Sequence, residues 1–269
     1  PSSLGPQELN NFLDAVKSGV PTAIFEDPMP FGFQGTPGTG EPKQAAGGGM
    51  FGGGQQPQPK GDIMQLWKLL GLDIPIKSSM SGVNPDIVWQ QYNPYPKLRY
   101  IMNATDEWIF IRENAGEEED FLSEGNEITA GLRELMFLYA GAIKKEENRD
   151  DVKITDLITT RENSGRISFE DVQGQLRTGQ ASPTQLQVLQ GAAMGSQVLA
   201  VFIQSADAAA KKDNQETDNA SGMKVAYIAD IDCMLPIFSE IRKHPEQYEE
   251  VDFRFQNVTF VLNVIDILA

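Results

Sequence analysis

Near its carboxyl end the chain carries KVAYIADID over residues 224–232, in which an apolar run, Val225 to Ala229, stops on Asp230 and Asp232. A short run without polar alternation is the pattern of a strand covered on both faces. A helical pattern follows it at once. Two other stretches share this character: TAIF at 22–25, which leads into Glu26 and Asp27, and VLAVFI at 198–203. Buried strands alternating with helical segments predict an α/β fold, with a mainly parallel central sheet flanked by helices in Rossmann-like or flavodoxin-like layers and long irregular loops. Open sheets of that kind collect ligands at the carboxyl ends of their strands. Glu26, Asp27, Asp230 and Asp232 are therefore candidate ligand-binding residues.

The remaining segments fit one α/β domain over residues 1–269, with a split into two subdomains near 145–155 as the alternative. Ser2 or Ser3 can cap a helix bearing Leu4, Leu9, Phe12, Leu13 and Val16, with Gly19 as its stop. Residues 31–61 turn to Gly, Pro and Gln, a composition with too little apolar surface to offset ordering entropy, and predict a long flexible insert. Its GTPGTG at 35–40 lacks the GK[ST] ending of a phosphate loop. Asp62 can cap a helix over Ile63–Leu70 that Gly71 ends. Strands are expected at Asp86–Gln91 and Glu107–Ile111, separated by YNPYPKL at 92–98, whose prolines oppose regular structure. EEED at 117–120 reads as a solvated loop. Asn126 can cap a helix carrying Ile128, Leu132 and Leu135, followed by a strand in MFLYAGAI at 136–143. TDLITT at 155–160 suits a short helix or turn. The stretches 174–196 and 206–222 read as polar loops, the first with some helix. A last helix carries Val258, Val261, Leu262, Val264, Ile265 and Leu268.

Composition narrows the chemistry. Thirty-eight acidic against 22 basic residues leave a net charge of −16, which opposes nucleic acid and anionic lipid as direct partners. Cys233 is the single cysteine and His244 the single histidine, so an internal disulfide is impossible and a histidine-based triad must use His244. No zinc-type spacing occurs, and neither a metal nor a cofactor is expected. Asp230 and Asp232 have the spacing of a nucleophile with its acid/base partner or of Mg²⁺ ligands, but only 37 residues follow to complete such a site. Helix-capping or loop carboxylates are the simpler reading. The acidic neighbours of Cys233 oppose thiolate formation. Tyr92, Asn93 and Tyr95, in the turn-rich YNPYPKL, complete the candidate ligand residues, against the plainer role of a rigid packed turn. The chain begins at Pro1, and its last helix lacks a cap, so a piece of a longer polypeptide is expected, and its lack of a targeting segment says little about the parent.

Several stretches, taken in order, resemble the GldG family, the auxiliary, substrate-binding-like components of gliding-motility-type ABC transport systems. They are LNNFLDAVKSGVPTAIFEDP at 9–28, GDIMQLWKLLGLDIP at 61–75, DIVWQQYNPYPKL at 86–98, EITAGLRELMFLYAGAI at 127–143, TDLITT, VLAVFI, KVAYIADIDCM at 224–234 and FQNVTFVLNVIDILA at 255–269. The resemblance implies an extracytoplasmic, periplasmic domain of an inner-membrane protein, with ABC permease and ATPase subunits or cell-envelope proteins as partners. It implies a membrane anchor shortly after the helix of Asn257 and Asn263, outside these residues. The family supplies no catalytic residues, so the expected function is non-enzymatic binding or scaffolding. The alternatives are a small-molecule or glycan binder that uses the strand-end carboxylates and a metal-dependent hydrolase built on them.

Overall fold

The structure is a computed structural model that describes residues 3–33, 35–43, 58–79, 82–113, 121–123, 125–177, 182–206, 222–248 and 253–269. Its centre is a four-stranded sheet in which β1 (Thr22–Phe25), β12 (Lys224–Ile228), β11 (Val198–Ser205) and β9 (Val152–Thr159) stand in that order. Strands β1 and β12 run parallel, Phe25 opposite Ile228, while β11 is antiparallel to both β12 and β9. The class is mixed α/β, and the mainly parallel sheet expected from the sequence is not what forms. Alternation along the strands explains the difference. Ala200, Phe202, Ala226 and Ile228 enter one core while Val201, Ile203, Val225 and Tyr227 enter another. A strand covered on both faces reads as a continuous apolar run whichever way its neighbours run.

On the second of these faces lie α1 (Pro6–Lys17), through Leu9, Leu13 and Val16, and α2 (Met64–Leu70), through Leu66, Trp67 and Leu70. Helix α1 is capped at Gly5, whose N–H donates to Glu8 Oε2 at 2.7 Å, rather than by a serine. Helix α2 starts where expected, Asp62 Oδ1 accepting the Met64 N–H, and ends on Gly71 in the left-handed region (φ 70°). The chain then forms two small ladders, β2 (Leu72–Asp73) with β8 (Lys144–Lys145) and β3 (Ile76–Ser79) with β4 (Gly82–Pro85).

Against the other face pack β6 (Trp108–Arg112), β7 (Glu134–Leu138) and the last helix, α7 (Asn257–Leu268). Helix α7 buries Asn257, Phe260 and Val264, whereas Leu262 and Ile265 are about half exposed, so its apolar residues divide between core and surface. Asn257 is fully buried and serves β7 as a strand neighbour would: its Oδ1 accepts the Met136 N–H and its Nδ2 donates to Met136 O at 2.7 Å. A third core gathers β5 (Ile87–Gln90) and its antiparallel partner β10 (Ser164–Ile167) with α3 (Lys97–Ile101), α4 (Phe169–Arg177), α5 (Pro183–Leu189) and α6 (Pro236–Lys243).

Other expectations change locally. YNPYPKL leads directly into α3, because Pro96 stands at the helix's start, where a missing N–H costs nothing. The helix expected after Asn126 is a series of turns: Asn126 Oδ1 takes the Ile128 N–H, Thr129 Oγ1 donates to Ser123 O, and Leu135 lies on β7. MFLYAGAI leaves the ladder at Tyr139, whose φ is 52°. TDLITT lies within β9, which its β-branched residues favour. The 174–196 stretch holds the end of α4 and all of α5. EEED at 117–120 and most of 206–222 lie outside the described residues. No helix among the described residues is long and apolar enough to cross a membrane.

Replacing Phe260 by Ala, at 0% exposure between α7 and the sheet, is expected to cost about 3–5 kcal/mol in urea unfolding. A loss below about 1 kcal/mol would contradict this placement of α7.

Candidate functional site

The two parallel strands end side by side, so the residues after them converge. Asp27 follows β1, and Asp230 and Asp232 follow β12 at the start of the short 3-10 turn Asp232–Met234. One carboxylate oxygen from each of the three lies within 4.8 Å of the others, and all three side chains are buried. They are the described residues whose carboxylates could share one metal ion. Protonation of one member relieves the same repulsion. At such separations two like charges repel by about 4 kcal/mol for an effective dielectric constant near 20, which three ionised carboxylates pay without an intervening proton or cation.

Each of their oxygens already accepts a backbone N–H. Asp27 takes those of Met29 (2.7 Å) and Ile231 (3.0 Å), and Asp230 those of Leu138 (2.8 Å) and Cys233 (3.2 Å). Asp232 takes those of Phe31 (2.7 Å) and Gly32 (2.9 Å). Burial pushes the carboxyl of Asp27 well above its ordinary range, and the charges of Asp230 and Asp232 push it further. Burial and then Asp232 do the same for Asp230. Burial also raises Asp232, against the opposing effect of the Gly32 and Phe31 N–H groups. The Cys233 thiol, likewise buried, is held well above its usual value by desolvation and by Asp230, which leaves it a poor nucleophile.

Thus the structure brings together three of the four strand-end carboxylates, and it separates the fourth. Glu26 alternates to the other side of the strand end, where Thr39 Oγ1 donates to its Oε1 at 2.7 Å. Its carboxyl is raised by burial and lowered by Lys60. Lys60 Nζ in turn donates to Thr39 O and Glu41 O, both at 2.7 Å. Burial lowers the Lys60 ammonium from its ordinary value. Nearby, Trp67 Nε1 donates to Tyr227 Oη at 3.0 Å.

Tyr92, Asn93 and Tyr95 form no part of the carboxylate group. Tyr92 lies under the Arg161 guanidinium at 4.0 Å, Asn93 Oδ1 accepts the Tyr95 N–H, and the Tyr95 hydroxyl donates to Glu134 inside the third core. His244 is exposed beside Glu246.

Of the 31–61 stretch expected to be a flexible insert, the structure describes only the two flanks. Its described flanks are packed and hydrogen-bonded rather than loose; residues 34 and 44–57 lie outside the described set. Glycine is needed there for close approach. A Cβ on Gly32 would stand 2.2 Å from Leu235 Cδ2, and one on Gly38 would stand 2.0 Å from Pro28 O. The available signal was the chain of EDP at 26–28 followed closely by glycines, since carboxylates at a strand end need N–H donors that an unhindered backbone supplies.

Two outcomes test this arrangement. With divalent cations chelated, unfolding free energy is expected to fall as pH rises from the ordinary carboxylate range towards neutrality: carboxyls with raised folded pKa bind more protons folded than unfolded, so their stabilisation is complete below the unfolded pKa and is lost as pH rises through the folded one. Asp27→Asn should flatten this slope, and a stability that rises with pH over the window would refute it. Separately, Asp232→Ala should speed hydrogen exchange at the Phe31 and Gly32 amides at least tenfold while leaving the β11 amides protected.

No family model matches the chain, and no curated protein or solved structure matches it either.

Proposed function

We propose that this chain is a non-enzymatic, extracytoplasmic binding or scaffold domain of a membrane ABC transport system, a GldG-type auxiliary component. It would work by contact with permease, ATPase-linked or cell-envelope proteins, with membrane segments supplied by a longer parent. The ordered resemblance of its stretches motivates the reading. The observation that carries it is the use of the strand-end carboxylates: the six oxygens of Asp27, Asp230 and Asp232 are taken up by backbone N–H groups from four parts of the chain. Carboxylates spent in this way tie segments together instead of turning over a substrate. In this reading the layered fold departs from the flavodoxin-like pattern but keeps its parallel pair with acidic ends side by side.

The runner-up, a small molecule or glycan held by those carboxylates, needs the Phe31–Gly32 backbone to leave Asp232. Hydrolysis on them needs a nucleophile or metal-bound water to enter a cluster that is fully buried at Asp230 and Asp232.

The single cysteine gives a clean test of compartment, because Cys233 is buried and Val20 is half exposed. In cells expressing the parent protein with any cysteine outside these residues replaced by serine, Val20→Cys is expected to react with a membrane-impermeant maleimide once the outer envelope is permeabilised, and the same protein with Val20 intact is not. The tagged parent should also co-purify with ABC permease and ATPase subunits. Labelling only after the inner membrane is lysed, or purification without such subunits, would overturn the reading.

A further inference from the structure

We infer that the cavity between α3 and α5 binds a neutral saccharide. The cavity measures about 550 Å³ and is lined by Gln91, Asn93, Pro96, Arg99 and Gln187. It is separate from the carboxylate cluster, and the inference does not rest on the compartment or partners proposed above.

A buried carboxylate organises its wall. The Asp106 side chain has no exposed surface; its Oδ1 accepts from Arg99 Nη2 at 2.5 Å and its Oδ2 from Gln187 Nε2 at 2.9 Å. Asp106 therefore holds the guanidinium of α3 and the amide of α5 in fixed positions beside each other. Two further lining side chains are oriented by their oxygens. Gln91 Oε1 accepts from Asn163 Nδ2 at 3.0 Å, leaving the Gln91 amide N–H groups uncommitted among the described residues. Asn93 Oδ1 accepts the Tyr95 N–H at 2.7 Å, which fixes the side chain, and its buried Nδ2 has no partner among the described residues. The cavity thus presents the remaining Arg99 donors, the Gln91 amide and the Gln187 Oε1 acceptor.

Charge then chooses the ligand class. Arg99 is balanced by Asp106, so an anion gains no net attraction there, and the chain as a whole carries −16. Planar amide and guanidinium groups that mix donors and acceptors suit vicinal hydroxyls, each of which both donates and accepts. Pro96, Arg99 and Tyr100 fall at i, i+3 and i+4, on one face of the α3 turn. The Tyr100 ring, 89% exposed and not itself part of the lining, would offer from that face a flat apolar surface for the C–H face of a sugar ring that extends beyond the cavity.

Calorimetry and saturation-transfer NMR on the whole chain with maltotriose, cellotriose and N-acetylchitotriose test the assignment. At least one is expected to bind with Kd of about 1 mM or tighter. Tyr100→Ala and Gln91→Ala, both at exposed positions and so without a folding penalty, should each weaken it about tenfold, equivalent to about 1.4 kcal/mol. Arg99→Ala should abolish it, and a thermal melt of that variant separates lost binding from lost fold. The inference is overturned if none of the three trisaccharides binds at 10 mM, a concentration about tenfold above that limit. It is equally overturned if both exposed variants bind as the unaltered chain does, or if trigalacturonate binds more tightly than every neutral sugar.

Discussion

Three buried carboxylates at the ends of the parallel strand pair repel one another, and the remedy for that repulsion shapes the surrounding chain. Each oxygen recruits a backbone N–H, and a hydrogen bond to a charged acceptor contributes roughly 1.5–3 kcal/mol. The donors come from the loop after β1, from the glycine-bearing segment, from the end of β7 and from the turn after β12. Segments 200 residues apart in sequence, such as Gly32 and Asp232, are fixed by a single side chain. The cluster is therefore a joint, and its electrostatic cost explains why it is placed where so many donors converge.

From that joint the rest of the packing follows in layers. Leu138 N–H on Asp230 fixes the end of β7, and Asn257 then docks α7 on the same strand through Met136. Asn257 Nδ2 also reaches Cys233 O, at the turn that Asp230 stabilises. Helix α7 thus reads the position of the carboxylate turn and of β7 at once. Phe260 and Val264 fill the space that this geometry leaves beneath the sheet. A polar side chain at 0% exposure is tolerated because every contact it makes is to backbone groups that would otherwise be orphaned.

Burial periodicity made the strands legible in the sequence. Thr22–Phe25 is the strand that TAIF predicts, and Val198–Ile203 and Val225–Ala229 mark β11 and β12 to within two residues. Their relative directions were hidden, since an apolar run reports two covered faces and says nothing of a neighbour's polarity. Asn126 shows a second limit: its side chain can cap a helix or close an Asx turn, and local sequence does not choose between them. At the site, the sequence marked Asp27 and Asp230 as strand-end carboxylates, but their meeting depends on the parallel pairing of β1 with β12, which an apolar run does not report. The separation of Glu26 was foreseeable by the period-two rule. Of the donors only Gly32 was hinted at, by the glycines that follow EDP; the N–H groups of Met29, Phe31, Leu138, Ile231 and Cys233 leave no mark on the residues that supply them.

The glycine-bearing segment carries the most general lesson of this fold. Its composition lacks apolar surface, which argues for disorder when burial is the only driving force considered. Around Phe31–Glu41 the driving force is instead a set of charge-assisted and buried polar bonds: Asp232 holds Phe31 and Gly32, Glu26 holds Thr39, and Lys60 holds the carbonyls of Thr39 and Glu41. Glycine adds conformational entropy to the unfolded chain, yet Gly32 and Gly38 are the residues whose missing side chains let this backbone reach its acceptors. A low-complexity stretch next to strand-end carboxylates should accordingly be judged by the acceptors within its reach as well as by its hydropathy, because buried charge can order a backbone that hydrophobic burial cannot.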